Sequence, residues 1–277
     1  MITALSQSIV NMTLRCGQQT YFRYVKNIII PPAVAARKGS GTHAGIEHDY
    51  RTKIKSGELA PLNEVKDATR DKFMKLVKDE GVWMNPEEQA DKQTILNTAL
   101  NESLASAEFY HINFAPYDDE IQLSEQKLSA DIGLSMPLEG TPDVVVDSCL
   151  RDIKTSGKRW AAGRENEEIQ PAFYRILLKE NGYGDVPGEF IILTNMKRGP
   201  QKGEACVWDD NLKVCGDRRE ANNSPDFIES TKARIEIVAK QIIAGNFVPA
   251  HPSCWWCSPN WCGFFGICPY AKGRKLI

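Results

Sequence analysis

Residues 138–157 constrain this chain more than any other stretch. Three valines, Val144 to Val146, are followed by the turn residues Asp147 and Ser148 and then by a second run from Leu150 to Thr155. Two such runs separated by a short polar break predict two adjacent strands over 141–146 and 150–155 joined by a tight turn at Asp147 and Ser148. On adjacent antiparallel strands, Asp143 and Asp152 converge at one end of a sheet. Two convergent carboxylates make a hard oxygen site suited to Mg²⁺ or Mn²⁺, and the main-chain carbonyl of Ile153 is a natural additional ligand. Lys154 lies two residues beyond Asp152, so its side chain emerges on the same strand face. A site of this kind polarises a phosphodiester and activates water. An Asp-x-Lys triplet alone is common on strand surfaces, so its meaning depends on the rest of the chain.

The flanking sequence predicts an α/β organisation. Residues 6–30 read as a short helix and a turn, and 31–38 as an extended connection. Gly39-Ser40-Gly41-Thr42 then opens a helix on which His43 and Glu47, four residues apart, share a face. Residues 60–112 show apolar residues at three- and four-residue spacing and predict an inserted helical lobe. From 119 the period changes, and 119–133 reads as one strand. The segment 167–182 reads as a helix with Pro171 in its first turn, 188–199 as a buried strand, and 204–217 as a strand or hairpin. Residues 224–245 read as a long helix with Ser224 as N-cap and Pro225 at its first position. The expectation is a single domain over 1–277 with a central mixed sheet of about five strands flanked by helices.

Formal net charge is −2, without the global basic excess of a protein that coats nucleic acid. Lys154, Lys158, Arg159 and Arg164 form one local basic cluster, and Lys272, Arg274 and Lys275 another. No apolar run approaches the roughly 20 residues needed to span a bilayer, and the N-terminus lacks the form of a secretory signal. The chain is therefore expected in the cytoplasm, that of an infected host if phage-encoded. No G-x-x-x-x-G-K-[ST] phosphate loop occurs, so ATP-driven unwinding is not expected.

Four motifs in order carry a family resemblance. They are Gly39 to His43 with Glu47; Gly140-Thr141-Pro142-Asp143; Asp152-Ile153-Lys154; and Gln170-Pro171-Ala172-Phe173-Tyr174. From about Ser6 to Cys268 the chain resembles PD-(D/E)xK nucleases of the RecB-like branch, which includes CRISPR-associated exonucleases and phage exonucleases. The resemblance implies a restriction-endonuclease-like core. It implies metal ligation by His43, Asp143, Asp152 and the Ile153 carbonyl, and catalytic roles for Asp143, Asp152, Lys154, Gln170 and Tyr174. Many relatives carry Glu where Asp152 stands. The implied activity is Mg²⁺- or Mn²⁺-dependent DNA hydrolysis, as an exonuclease or end-processing enzyme in recombination, repair or phage replication. DNA, as single strands or duplex ends, is the implied partner. Related nucleases form rings around DNA, so a homo-oligomer and a recombination partner protein join the partners to be considered.

The eight cysteines are the second strong pattern. Cys254, Cys257, Cys262 and Cys268 crowd the tail, at a spacing that suits Zn²⁺ or an iron–sulfur cluster. Four thiols in a row could close a zinc site unaided. The resemblance implies instead a [4Fe–4S] cluster joining one N-terminal cysteine to three C-terminal ones. Cys16, Cys257, Cys262 and Cys268 fill those places, leaving Cys254 over; Cys254 and Cys257 with Cys262 or Cys268 is the alternative triplet. The tail, 250–277, would then dock on the segment near Cys16. Cys149, Cys206 and Cys215 read as structural thiols. Two other functions compete with the nuclease. One is an inactive DNA- or partner-binding module that keeps the fold and the cluster, and the other is a zinc-knuckle interaction protein.

Overall fold

The computed structural model describes residues 2–200 and 206–271. The basic cluster at Lys272, Arg274 and Lys275 lies outside the described residues, as do the first two residues of the segment 204–217. Eight helices longer than a 3₁₀ turn run through the described chain: α1 (Gln7–Arg15), α2 (Gly17–Thr20), α3 (Val34–Ser56), α4 (Leu62–Asp79), α5 (Pro86–Ala90), α6 (Lys92–Asn113), α7 (Gln170–Glu180) and α8 (Pro225–Ile243). A π-helical turn, Tyr21–Val25, follows α2. The strands are β1 (Ile121–Ser124), β2 (Leu128–Ala130), β3 (Leu138–Gly140), β4 (Val144–Val146), β5 (Cys149–Ser156), β6 (Gly188–Asn195), β7 (Val207–Asp209) and β8 (Val214–Glu220).

Six of the strands form one mixed sheet in the order β1-β4-β5-β6-β8-β7, and β2 pairs with β3 in a separate ribbon. Only β5 and β6 run parallel, and α7 makes the crossover between them; the other pairs are antiparallel. The β4–β5 turn falls on Asp147 and Ser148, both at positive φ (50° and 58°), the backbone of a two-residue hairpin. One face of the sheet packs Val144, Val146, Ile153, Ile191 and Leu193 against Ile46 and Tyr50 of α3 and Phe109 and Tyr110 of α6. The opposite face packs Val145 and Leu150 against Phe173 and Leu177 of α7, with Ile235 and Val238 of α8 and Val10 of α1 in the same cluster. The mixed α/β sheet flanked by helices is the fold class expected from the sequence, with six strands where about five were expected.

Three local expectations are corrected. α3 begins at Val34, so 31–38 is not an extended connection throughout, and Gly39 and Gly41 lie inside a helix. Close packing holds these glycines there, Gly39 against β5 and Gly41 against α4 and α6. A Cβ on Gly41 would meet Ser103 Oγ of α6 at 2.7 Å and the Thr69 carbonyl of α4 at 3.2 Å. Residues 119–133 are not one strand: Glu125, at φ 46°, breaks the run and sends β1 and β2 into different sheets. Cys206 and Cys215 are not free thiols but a disulfide across the β7–β8 hairpin. The described part of the 204–217 segment lies in that hairpin.

Candidate active site

The site forms where β4 stops and β5 continues. The antiparallel register ends with Val144 opposite Arg151, while β5 runs on for five more residues beside β6. A strand residue points its N–H and C=O to the same side, so Ile153 presents both to the edge that β4 has left. Two side chains take them. Asp143 Oδ2 accepts the Ile153 N–H at 2.6 Å, and His43 Nε2 lies 3.0 Å from the Ile153 carbonyl. Gly140 lets α7 close on this corner, since a Cβ there would stand 2.7 Å from the Tyr174 ring and 3.0 Å from Leu177. Gly39 does the same for α3 against Thr155, at 3.3 Å.

His43 Nδ1 faces Glu125 Oε1 at 3.0 Å and Asp143 Oδ1 at 3.4 Å. His43, Glu125 and Asp143 each bring a ligand atom within 4.8 Å of the other two. They line a cleft of 390 Å³ with Glu47 and Lys72. Burial alone would lower the His43 pKa, but Asp143 and Glu125 raise it well above its ordinary value. A carbonyl can only accept, so Nε2 donates to Ile153 while Nδ1 faces carboxylates. A donor set that draws a second proton onto an imidazole is one that attracts a cation. Burial opposes ionisation of Asp143, yet His43, Lys154 and the Ile153 N–H hold its pKa below the usual range. Burial raises that of Glu125.

Asp152 is completely buried. Its Oδ2 pairs with Lys154 Nζ at 2.5 Å, while its Oδ1 has no protein partner among the described residues. Burial, with Asp143 nearby, pushes the Asp152 pKa up to about 6 against the pull of Lys154. A buried carboxylate oxygen without a donor fits a bound metal ion, whose charge would offset the cost of desolvating it. For Lys154, burial favours the neutral amine, but Asp152 and Asp143 outweigh it and raise the pKa, so the ammonium persists. Lys154 donates to Gln170 Oε1 at 2.7 Å, and Tyr174, one turn further along α7, shares a hydrogen bond with Gln170.

The residues singled out in the sequence thus fall into two touching groups: His43, Asp143 and Ile153 on the α3 side, and Asp152, Lys154, Gln170 and Tyr174 on the α7 side. Asp152 is not one of the three groups gathered within 4.8 Å; Glu125 takes that place. Sequence reasoning missed Glu125, and only the break between β1 and β2 could have flagged it. A second missed group lies at the other end of β5. There Arg151 and Tyr50 both bond the buried Asp118, Tyr110 bonds Tyr50 at 2.7 Å, and Arg151 reaches Glu189 at 2.5 Å. This network ties α3, α6 and the sheet together.

The cysteines gather at the chain ends. Cys16, Cys257, Cys262 and Cys268 line one pocket with Phe22 and Phe264, and Cys254 is not among its lining residues. Around it, Gly17 N–H donates to the Val248 carbonyl at 2.7 Å and the Ala250 N–H to Cys16 Sγ at 3.3 Å. Among the described residues, no helix is long and apolar enough to cross a membrane.

No protein-family model and no curated protein matches the chain. Among solved structures, it is similar to the crystal structure of a putative exonuclease from Eubacterium rectale, at 10% identity and a TM-score of 0.54. The match covers 99% of this chain and 89% of the other. At that identity the likeness concerns the fold alone, and it spans nearly the whole chain.

Proposed function

We propose that this chain is a metal-dependent nuclease that hydrolyses DNA phosphodiesters at the β4–β5 junction. One observation carries the reading: a completely buried carboxylate, Asp152, whose Oδ2 meets the Lys154 ammonium at 2.5 Å and whose Oδ1 has no protein partner among the described residues, stands next to the His43, Glu125 and Asp143 group. His43, Glu125, Asp143, Asp152 and the Ile153 carbonyl are the groups that would hold Mg²⁺ or Mn²⁺. When bound, the metal supplies Lewis acidity and a water of lowered pKa. The chain's own residues do the rest. Lys154 stays protonated and offsets negative charge developing on the phosphoryl oxygens. Gln170 fixes the Lys154 ammonium from one side while Asp152 holds it from the other. Tyr174 keeps Gln170 in register from the same helix. The fold of the E. rectale putative exonuclease is consistent with this reading. An exonuclease or end-processing role in recombination, repair or phage replication, inside a cell, is part of the proposal.

The shared pocket supports a [4Fe–4S] cluster on Cys16, Cys257, Cys262 and Cys268, because a zinc site confined to the tail would not need Cys16 within it.

The test uses end-labelled single- and double-stranded DNA with anaerobically purified protein in Mg²⁺, Mn²⁺ or EDTA. Metal-dependent degradation is expected, falling at least ~10²-fold in Asp143→Ala and in Lys154→Ala. No cleavage of any substrate by cluster-intact protein would overturn the nuclease and favour a binding module.

A further inference from the structure

The C-terminal ends of β5 and β6 open into a groove of 1360 Å³, walled by α6 on one side and the β7–β8 turn on the other. Among the described residues, Lys158, Arg159, Lys197, Arg198 and Lys213 line it, and Glu102 is the one lining carboxylate. That carboxylate is already matched by the buried Lys38 at 2.9 Å. Lys213 pairs with Asp210 at 2.8 Å and Arg159 lies 3.7 Å from Asp217, but both acids sit outside the groove lining. Lys197 and Arg198 are exposed. Five cations among the described lining residues are not a by-product of composition, since the chain carries a formal net charge of −2.

The groove lies close to the candidate site along β5 and β6. Lys158 follows Lys154 by four residues, a separation of at most about 13 Å along extended chain. Asn195 and Met196, which leave β6, line the groove, while Ile192 of the same strand pairs with Lys154. A strand of nucleic acid with one phosphate at Asp143, Asp152 and Lys154 carries its neighbouring phosphates along this direction.

We propose that this groove binds the sugar–phosphate backbone beside the scissile bond, through charge and without base readout. The inference rests on the nuclease reading, because the polyanion is that reading's substrate. Lys197 and Arg198 are its main phosphate contacts. It accounts for nucleic-acid binding by a chain with no overall basic charge, and it places the strand across the ends of β5 and β6.

The experiment compares Lys197→Glu/Arg198→Glu with Lys179→Glu/Arg234→Glu, a charge-matched reversal on α7 and α8. Binding of a fluorescent single strand of roughly 20 nucleotides is followed by anisotropy in EDTA across a salt series. The groove variant is expected to bind at least about tenfold more weakly, with the slope of log K against log salt shallower by about 1.4, two phosphates' worth for a single strand. The control is expected within about twofold of the parent at each salt. Hydrolysis of bis(p-nitrophenyl) phosphate with Mn²⁺, a diester too small to reach the groove, is expected to be equal in parent and groove variant. Absent binding by the parent, equal binding by parent and groove variant, or equal weakening in the control overturns the groove. A parent that binds as expected but cleaves neither DNA nor the small diester overturns the nuclease reading and leaves the groove standing.

Discussion

Asp143 uses its two oxygens for different ends. Oδ2 closes the peptide edge left open where β4 stops, and Oδ1 faces His43. Substitutions should separate these roles. Asp143→Asn keeps an acceptor for the Ile153 N–H but gives up the attraction to His43 and Lys154 that holds the Asp143 pKa down, so its melting temperature in EDTA should fall between those of the parent and Asp143→Ala. Asp143→Ala strands a buried donor, which costs about 1–3 kcal/mol. Both should lose metal-dependent cleavage, and a melting curve beside a cleavage assay reads the two effects. Glu125 gives a second residue-scale prediction. Its carboxylate lies 3.0 Å from His43 and within the three-residue ligand group. Glu125→Gln should weaken Mn²⁺ binding in calorimetry at least about tenfold while changing the shape little. An unchanged affinity would remove Glu125 from the metal site. Most of the site was legible at this scale because its residues sit at motif spacings: His43, Asp143, Asp152, Lys154 and Gln170 do come together. Glu125 was not legible, because its position depends on a left-handed backbone at one residue in a stretch whose alternation reads as a continuous strand.

At the scale of elements, glycine sets how closely helices approach. Gly39, Gly41 and Gly45 occur in the first half of α3. In sequence, such a glycine- and hydroxyl-rich segment resembles a helix start, which is why the first turn of α3 was placed five residues too late. The packing that overrides this pattern is tertiary. A Cβ on Gly45 would lie 3.0 Å from the Val65 carbonyl of α4 and 3.2 Å from Ala107 of α6. Two opposing effects therefore meet in Gly45→Ala. Helix propensity favours alanine by about 1 kcal/mol. Overpacking between two helices costs about 1–3 kcal/mol, and the Val65 carbonyl is backbone that cannot turn aside. Net destabilisation is expected, with a melting temperature lower by several degrees on the scale of ~2–4 °C per kcal/mol. Gly157→Ala meets nothing within 4 Å and should leave the melting temperature unchanged. Equal behaviour of the two variants would mean that α3 does not need its glycines. The strands β4, β5 and β6 and the helices α7 and α8 were legible because their apolar periods are long or their caps explicit, as at Ser224, whose side chain accepts the Phe227 N–H.

For the whole molecule, the chain ends matter most. α1 packs in the main core through Ile9 and Val10, while the tail contributes a separate apolar cluster in which Phe264 stacks on Phe22 at 5.5 Å. Besides the Gly17–Val248 and Ala250–Cys16 bonds, Gln18 Nε2 donates to the Phe247 carbonyl at 2.6 Å and Gln19 Nε2 to Cys262 Sγ at 3.4 Å. So small a cluster holds an irregular tail poorly by burial alone, and a metal group spanning Cys16 and the three tail cysteines closes a loop of nearly the whole chain. Bound to the folded state and not to the unfolded one, such a group stabilises by mass action. Cys16→Ser is therefore expected to lose iron and visible absorbance together and to melt well below the parent, whereas Cys254→Ser should retain both. Iron per chain and visible spectra of anaerobically purified proteins decide the ligand set, and melting curves decide its structural weight. Iron kept in Cys16→Ser and lost in Cys254→Ser would move the ligands into the tail, and a colourless parent holding zinc would replace the cluster. The tail docks where α1 leads through α2 and the π-helical turn toward α3, the helix that carries His43. Cluster loss should therefore also lower cleavage without changing the bis(p-nitrophenyl) phosphate rate in proportion, because the β4–β5 junction is held by the sheet and by Arg151, Asp118 and Tyr50.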